Sequence, residues 1–197
     1  MRHFINIVED AQVDLDLMNV WGLLDHYGIN HDLKSDWHDL GVEWHNRNSR
    51  RAIDKMISDP RMVLISRIAL WAKHMAGVQY PYRDKFATPE MFEQALTQPI
   101  TVWRGGGGTY DPALPLKRRW VSYTAVQSKV VTFSEYDGTR ASRAYVLPKR
   151  QTWWVAQLTL PLNKVLGYVD AGFDEEVIVP RDLSARDAKI IKTHQSE

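Results

Sequence analysis

Cysteine is absent from the 197 residues, which excludes disulfides, thiolate metal sites and cysteine nucleophiles. The redox compartment stays undecided, because such an absence fits anywhere. No apolar run approaches the roughly 18 residues that span a bilayer, and residues 1–11 carry acidic side chains where a signal peptide needs its apolar stretch. The expectation is a soluble, cytoplasmic protein, unexported by the general route and without a membrane partner. Internal repeats and low-complexity segments are missing too. Neither sign of charge dominates, with 25 Lys and Arg against 24 Asp and Glu. That balance conceals an uneven distribution. Residues 1–46 hold nine Asp and Glu against Arg2 and Lys34, and the rest holds 23 Lys and Arg against 15 Asp and Glu, so the two parts carry −7 and +8. Such a surplus suits a phosphate-bearing ligand, nucleic acid or an acidic protein; it fits equally two regions that attract each other.

What is present is ordinary globular material, 44% hydrophobic and 25% charged, of a length that suggests one domain. Helical spacing of Leu17, Trp21 and Leu24 predicts a helix within 10–26, ended by Gly28. The polar stretch 29–48 repeats Trp37-His38 as Trp44-His45, with His31 at the same seven-residue step. Histidines sharing one ion usually sit four apart, so no metal site is expected and the stretch reads as irregular or as a packed cover. Residues 49–58 and 60–76 read as helices, the second opening on Pro60 and stopped by Gly77, and Thr88-Pro89 reads as the cap of a short helix to residue 96. Then the period changes. Short β-branched and aromatic runs at 100–103, 120–123, 152–160, 165–169, 176–179 and 188–192 predict six strands, with a short helix in 125–136 and a basic connection over 137–150. Helices first and strands afterwards indicate an α+β protein, read as one domain with a helical lead-in over 1–99 and a strand-rich core over 100–197.

Three places carry candidate chemistry. Arg104 ends a strand and is followed by Gly105-Gly106-Gly107-Gly108. A guanidinium beside an unobstructed backbone can grip a diphosphate through bidentate bonds and close amide N–H groups; a flexible loop with a surface Arg is the alternative. The run lacks the spacing and terminal Lys of a Walker loop. Next, Trp120-Val121-Ser122-Tyr123-Thr124 puts Ser122 and Thr124 on one face of a strand, where they can orient a ligand or simply cap a helix. Last, Phe173-Asp174-Glu175-Glu176 precedes the apolar Val177-Ile178-Val179-Pro180. Asp174 and Glu176 share a face, and a carboxylate at a strand mouth suits a developing cation on a sugar, although an acidic turn after Ala171-Gly172 explains it as well.

Taken in order, these elements resemble the arginine-serine-glutamate clan of ADP-ribosyltransferases. The resemblance is carried by Val102-Trp103-Arg104-Gly105, Ser122-Tyr123-Thr124-Ala125 and Asp174-Glu175-Glu176, which look like the family's strand-end Arg, Ser-Thr-Ser and Glu-x-Glu motifs. It spans about half the chain, from Ile100 onward. Val165-Leu166-Gly167-Tyr168-Val169 and Glu176-Val177-Ile178-Val179-Pro180 look like the strands flanking that family's catalytic loop. The resemblance implies two mainly antiparallel sheets with a NAD cleft, NAD as co-substrate and no metal. It assigns the diphosphate or its adjoining ribose to Arg104, the nicotinamide carboxamide to the main chain of Gly105, and the positioning of Glu176 to Ser122, with Thr124 supporting the cleft. Glu176 is then the carboxylate that binds the nicotinamide ribose and stabilises the oxocarbenium-like transition state. Two positions depart from the pattern: Asp174 is one methylene shorter than the usual Glu, and Ala125 replaces the second Ser. The acid at Asp174 favours arginine as acceptor, and Phe173 is expected either to touch the target protein or to anchor the turn.

The implied activity is mono-ADP-ribosylation of a protein, with NAD hydrolysis as the variant in which water replaces the acceptor. The basic second part, with Lys117-Arg118-Arg119-Trp120, keeps nucleic-acid binding or RNA modification as an alternative, and a degenerate interaction protein as a third. Arg140, Arg143, Lys149 and Arg150 lie where related enzymes carry a mobile loop touching NAD phosphates; a solvated charge run accounts for them equally. Trp153-Trp154 are expected to pack on the two sides of a strand. Size and the lone catalytic module look similar to the transferases of tailed phages, whose post-translational modification of host transcription or translation proteins would place this chain, as a monomer, in the host cytoplasm. A secreted effector is the alternative.

Overall fold

The computed structural model describes residues 20–47, 49–74, 88–108, 118–127, 130, 134, 152–171 and 174–195. Six helices and two small antiparallel sheets are present among them, so the class is α+β. The chain divides into two compact units, Met1–Gln98 with Pro161–Val177, and Pro99–Leu160 with Ile178–Glu197.

The first unit is built on helices. Helix α1 (Trp21–His26) ends where Gly28 takes φ +65°. There Ile29 N donates to Leu24 O at 2.9 Å and Gly28 N to Asp25 O at 3.0 Å, the paired bonds of a Schellman ending. Asn30 then caps the next helix, its Oδ1 accepting from Leu33 N at 3.0 Å. Helix α2 (His31–Arg47) occupies the stretch expected to be irregular. The reason is a narrow stripe, Leu33, Trp37, Leu40, Gly41 and Trp44, all buried at helical spacing in an otherwise polar segment. Helix α3 (Arg50–Ser58) follows its Ser49 cap, α4 (Pro60–His74) starts on proline, and α5 (Pro89–Ala95) follows its Thr88 cap. Trp37 Nε1 donates to Ser66 Oγ at 2.9 Å and Ser66 donates to Met56 Sδ at 3.8 Å, a buried relay through α2, α4 and α3.

The second unit carries the sheet of order β1-β3-β6: β1 (Pro99–Gly107), β3 (Thr152–Pro161) and β6 (Lys189–Gln195). The expected strand at 100–103 therefore continues through three glycines. Strands β3 and β6 are antiparallel, with Val155 opposite Lys192 and Ala156 opposite Ile190, so Ile191 is an extra residue on the outer strand. A bulge and the exposed Lys189 and Lys192 are features that discourage further pairing at a sheet edge. The other sheet has the order β2-β5-β4: β2 (Trp120–Tyr123), β5 (Asp174–Pro180) and β4 (Gly167–Ala171). Helix α6 (Arg181–Asp187) follows β5 in a segment where the sequence predicts no element. Among the described residues no helix is long and apolar enough to cross a membrane.

Candidate active site

Arg104 lies in the second half of β1, between Trp103 and Gly105, and strand alternation sends it to the face opposite theirs. There the half-buried guanidinium lies over the Trp154 indole, 5.9 Å from the ring centroid. Gly106 makes room for that ring: a Cβ at Gly106 would come within 2.5 Å of it. On the other face Gly105 is packed more tightly still. Its Cβ would fall 1.8 Å from Ser134 Oγ and 2.9 Å from Val130 O, and the Ser134 hydroxyl donates to that same carbonyl at 2.7 Å. Two of the four glycines thus seat an indole on one face and a helical turn on the other. Gly108 differs, with φ +75° and nothing within 4 Å of its missing Cβ. Trp153 and Trp154 do pack on opposite faces of β3, Trp153 joining Val130, Val155 and Trp103.

Strand β2 runs beside Arg104. Trp103 and Thr124 exchange both backbone bonds, at 2.8 and 2.7 Å, in an antiparallel bridge. Arg104 and Gly105 thus lie beside Ser122 and Thr124 along the backbone of one unit, but alternation sets the Arg104 side chain with Tyr123 on the face opposite Ser122 and Thr124. Ser122 is half-buried, and Thr124 is buried with its Oγ1 accepting from Val126 N at 3.1 Å, which fixes the chain where it turns toward the helical segment at Val130 and Ser134. Tyr123, between them, turns the other way, its hydroxyl 2.7 Å from Ser184 Oγ on α6. Burial raises the Tyr123 pKa, while the Ser184 hydrogen bond and the Arg104 charge work against that rise.

The acidic run falls at the start of β5. Asp174 and Glu176 have extended backbone there, and Glu176 is half-buried. Phe173 lies outside the described residues, as do Arg140, Arg143, Lys149 and Arg150. Asp174 and Glu176 belong to the first unit, Arg104, Gly105, Ser122 and Thr124 to the second.

Between the two acids stands Glu175, to which the sequence alone assigns no role. Glu175 is 3% exposed, accepts from the Tyr168 hydroxyl at 2.9 Å and pairs through the same oxygen with His74 Nε2 at the end of α4. One residue earlier on α4, Lys73 Nζ pairs with the buried Asp170 of β4. Burial pushes the Glu175 carboxyl up, but the His74 bond and charge, the Lys73 charge and the Tyr168 bond together bring it below its ordinary value. Tyr168 goes far the other way, first through burial and then through the negative neighbours Glu175 and Asp170. It is thus held as a neutral donor. Alternation along β5 turns Glu175 toward this network and Glu176 to the opposite face.

No group of three or more His, Asp or Glu able to hold a metal ion occurs among the described residues. His31 and His45 are exposed on α2 and His38 partly so. Each unit offers its own chemistry. A half-buried guanidinium suits an anionic diphosphate, and a half-buried carboxylate suits a sugar carbon that becomes cationic as its leaving group departs. No protein-family model matches the chain, no curated protein matches it, and no solved structure matches it.

Proposed function

We propose that the chain is a mono-ADP-ribosyltransferase that uses NAD as co-substrate and modifies a protein side chain, arginine by preference. The reading rests on the resemblance of the three motifs, and the observation that carries it within the acidic strand is that its middle residue, Glu175, is taken up by a buried network, which leaves Glu176 on the opposite face.

In this reading Arg104 neutralises the diphosphate and Ser122 orients the Glu176 carboxylate. The bond between the ribose anomeric carbon and the nicotinamide nitrogen breaks, and its electron pair leaves with nicotinamide. Glu176 stabilises the positive charge left on the ribose ring. An acceptor nitrogen then bonds to that carbon and gives up a proton, with Asp174 and Phe173 assigned to acceptor recognition. Water in the acceptor's place yields free ADP-ribose, so hydrolysis of NAD uses the same groups. The resemblance to tailed-phage transferases makes a host transcription or translation protein the proposed target.

Transfer of label from NAD into bacterial lysate proteins tests the reading, wild type against Glu176→Gln. Labelled bands with the wild type, and a loss of about a hundredfold or more in nicotinamide release for the variant, are expected. Nicotinamide release without bands assigns hydrolysis. Failure of the wild type to bind NAD ends the reading and makes nucleic-acid binding the next assay.

A further inference from the structure

We propose that Tyr168, Glu175 and His74 form a positioning set for Glu176, fixing from one face of β5 the direction in which the reactive carboxylate leaves the other. The inference rests on the reading of Glu176 given above and extends it to residues that do not touch the substrate.

A carboxylate as buried as Glu175 persists as an anion only where cations and donors meet it. Here they come from two elements: the Tyr168 hydroxyl from β4 at 2.9 Å, and His74 from the last residue of α4. Lys73, next to His74, reaches Asp170, two residues beyond Tyr168 on the same face of β4. The end of α4 is thereby tied to β4 through Lys73 and to β5 through His74, and Tyr168 ties the two strands to each other. Among the described residues the cluster includes two cation-forming side chains, Lys73 and His74, two carboxylates, Asp170 and Glu175, and the neutral Tyr168.

Well-packed apolar residues of similar volume often replace a buried ion pair with no loss of stability. Directional bonds add something that packing lacks, a single register and a single rotation of the strand. That property matters at β5 because neighbouring side chains are coupled. A slip or twist that frees Glu175 also turns Glu176, since the two leave one backbone on opposite faces. A group that must meet a transition state needs its direction set before the reaction, and a rigid strand held by a satisfied network provides that.

Two variants of the full chain test the inference. Tyr168→Phe removes one hydroxyl and leaves the ring, and Glu175→Gln removes the charge and keeps the shape. For each, amide hydrogen exchange is followed in peptides covering residues 174–177 and in peptides covering β1 and β3, alongside steady-state nicotinamide release. Exchange at 174–177 is expected to rise about tenfold while β1 and β3 exchange as in the wild type, and kcat to fall about tenfold with KM for NAD changed less than about twofold. Unchanged exchange at 174–177 in both variants overturns the proposal. So does a rise spread evenly over β1, β3 and β5, which means only lost stability. If the wild type releases no nicotinamide, the transferase reading fails by itself, and the exchange pattern still decides whether this set fixes the strand that carries Glu176.

Discussion

Arg104, in the second unit, lies over an indole and beside two glycines whose missing side chains let that indole and a helical turn close in. Glu175, in the first unit, is met by an imidazole and a phenol, with an ammonium serving the carboxylate next door. Both arrangements brace a residue of the candidate site, one directly and one through its neighbour in the chain. They do so by different physics. Close packing of the indole and the helical turn against the glycines makes the first responsive to volume. Charge and hydrogen bonds hold the second, so it responds to pH and tolerates changes of volume elsewhere.

The strongest way to break the comparison is to remove the indole. Trp154 is 8% exposed, and truncating a buried Trp costs about 3–5 kcal/mol. Trp154→Ala is expected to lower stability by about that amount, read by chemical denaturation, and to raise KM for NAD through a loosened Arg104. A loss well below that range, with KM unchanged, would show that the indole does not brace Arg104, and the contrast between the units would fall.

A finer test uses glycines, one from each unit. Gly105→Ala places a methyl 2.9 Å from the Val130 backbone oxygen and 1.8 Å from Ser134 Oγ; overpacking of this kind costs about 1–3 kcal/mol, and a backbone oxygen cannot swing away, so the upper end is expected. Gly41, inside α2, is the counterpart. Its Cβ would meet Val169 Cγ1 at 3.4 Å, an ordinary contact, and replacing an interior helical glycine with alanine gains about 0.5–1 kcal/mol. Gly41→Ala is therefore expected to stabilise, and thermal unfolding of the two variants should move in opposite directions. Movement in the same direction would show that close packing is not special to the second unit.

How much of this was legible in the sequence depends on the distance over which the deciding contact acts. Helix ends at Gly28, Ser49, Pro60 and Thr88 were readable because a cap is a local bond or a local dihedral. Helix α2 was lost in polar residues, although the Asn30 cap and the stripe from Leu33 to Trp44 carried the signal. The glycines of β1 read as a loop because glycine is a poor strand former. Ser134 and Trp154, far away in the chain, supply the packing that makes them strand. The same limit hid Glu175. Alternation alone set it apart from Asp174 and Glu176, but nothing local points to His74, 101 residues away. The return of 161–177 to the helical unit was likewise invisible, although the first crossing, between Gln98 and Pro99, falls beside the change of period in the sequence.

The smallest effect expected, and the one that most directly separates the two kinds of bracing, is a pH window confined to the first unit. Glu175 is held below its ordinary value of 4.5. A depressed carboxyl contributes stability at pH above its unfolded value, and that contribution is lost as pH falls through the lower folded value. Tyr168 is held well above its ordinary value of 10.0. A raised phenol contributes stability below its unfolded value and loses it as pH rises toward the folded one. The network thus gives its full support between these limits and fades at both ends. Hydrogen exchange in β4 and the start of β5 should accelerate below about pH 4.5 and above about pH 10. Exchange in β1 and β3, after correction for the intrinsic effect of pH, should change less. In Glu175→Gln the acid limb should flatten while the alkaline limb remains, and in Tyr168→Phe the reverse should hold. A single acid limb shared by both units and untouched by Glu175→Gln would place the titrating group elsewhere and leave the charges at the end of α4 without the role assigned to them.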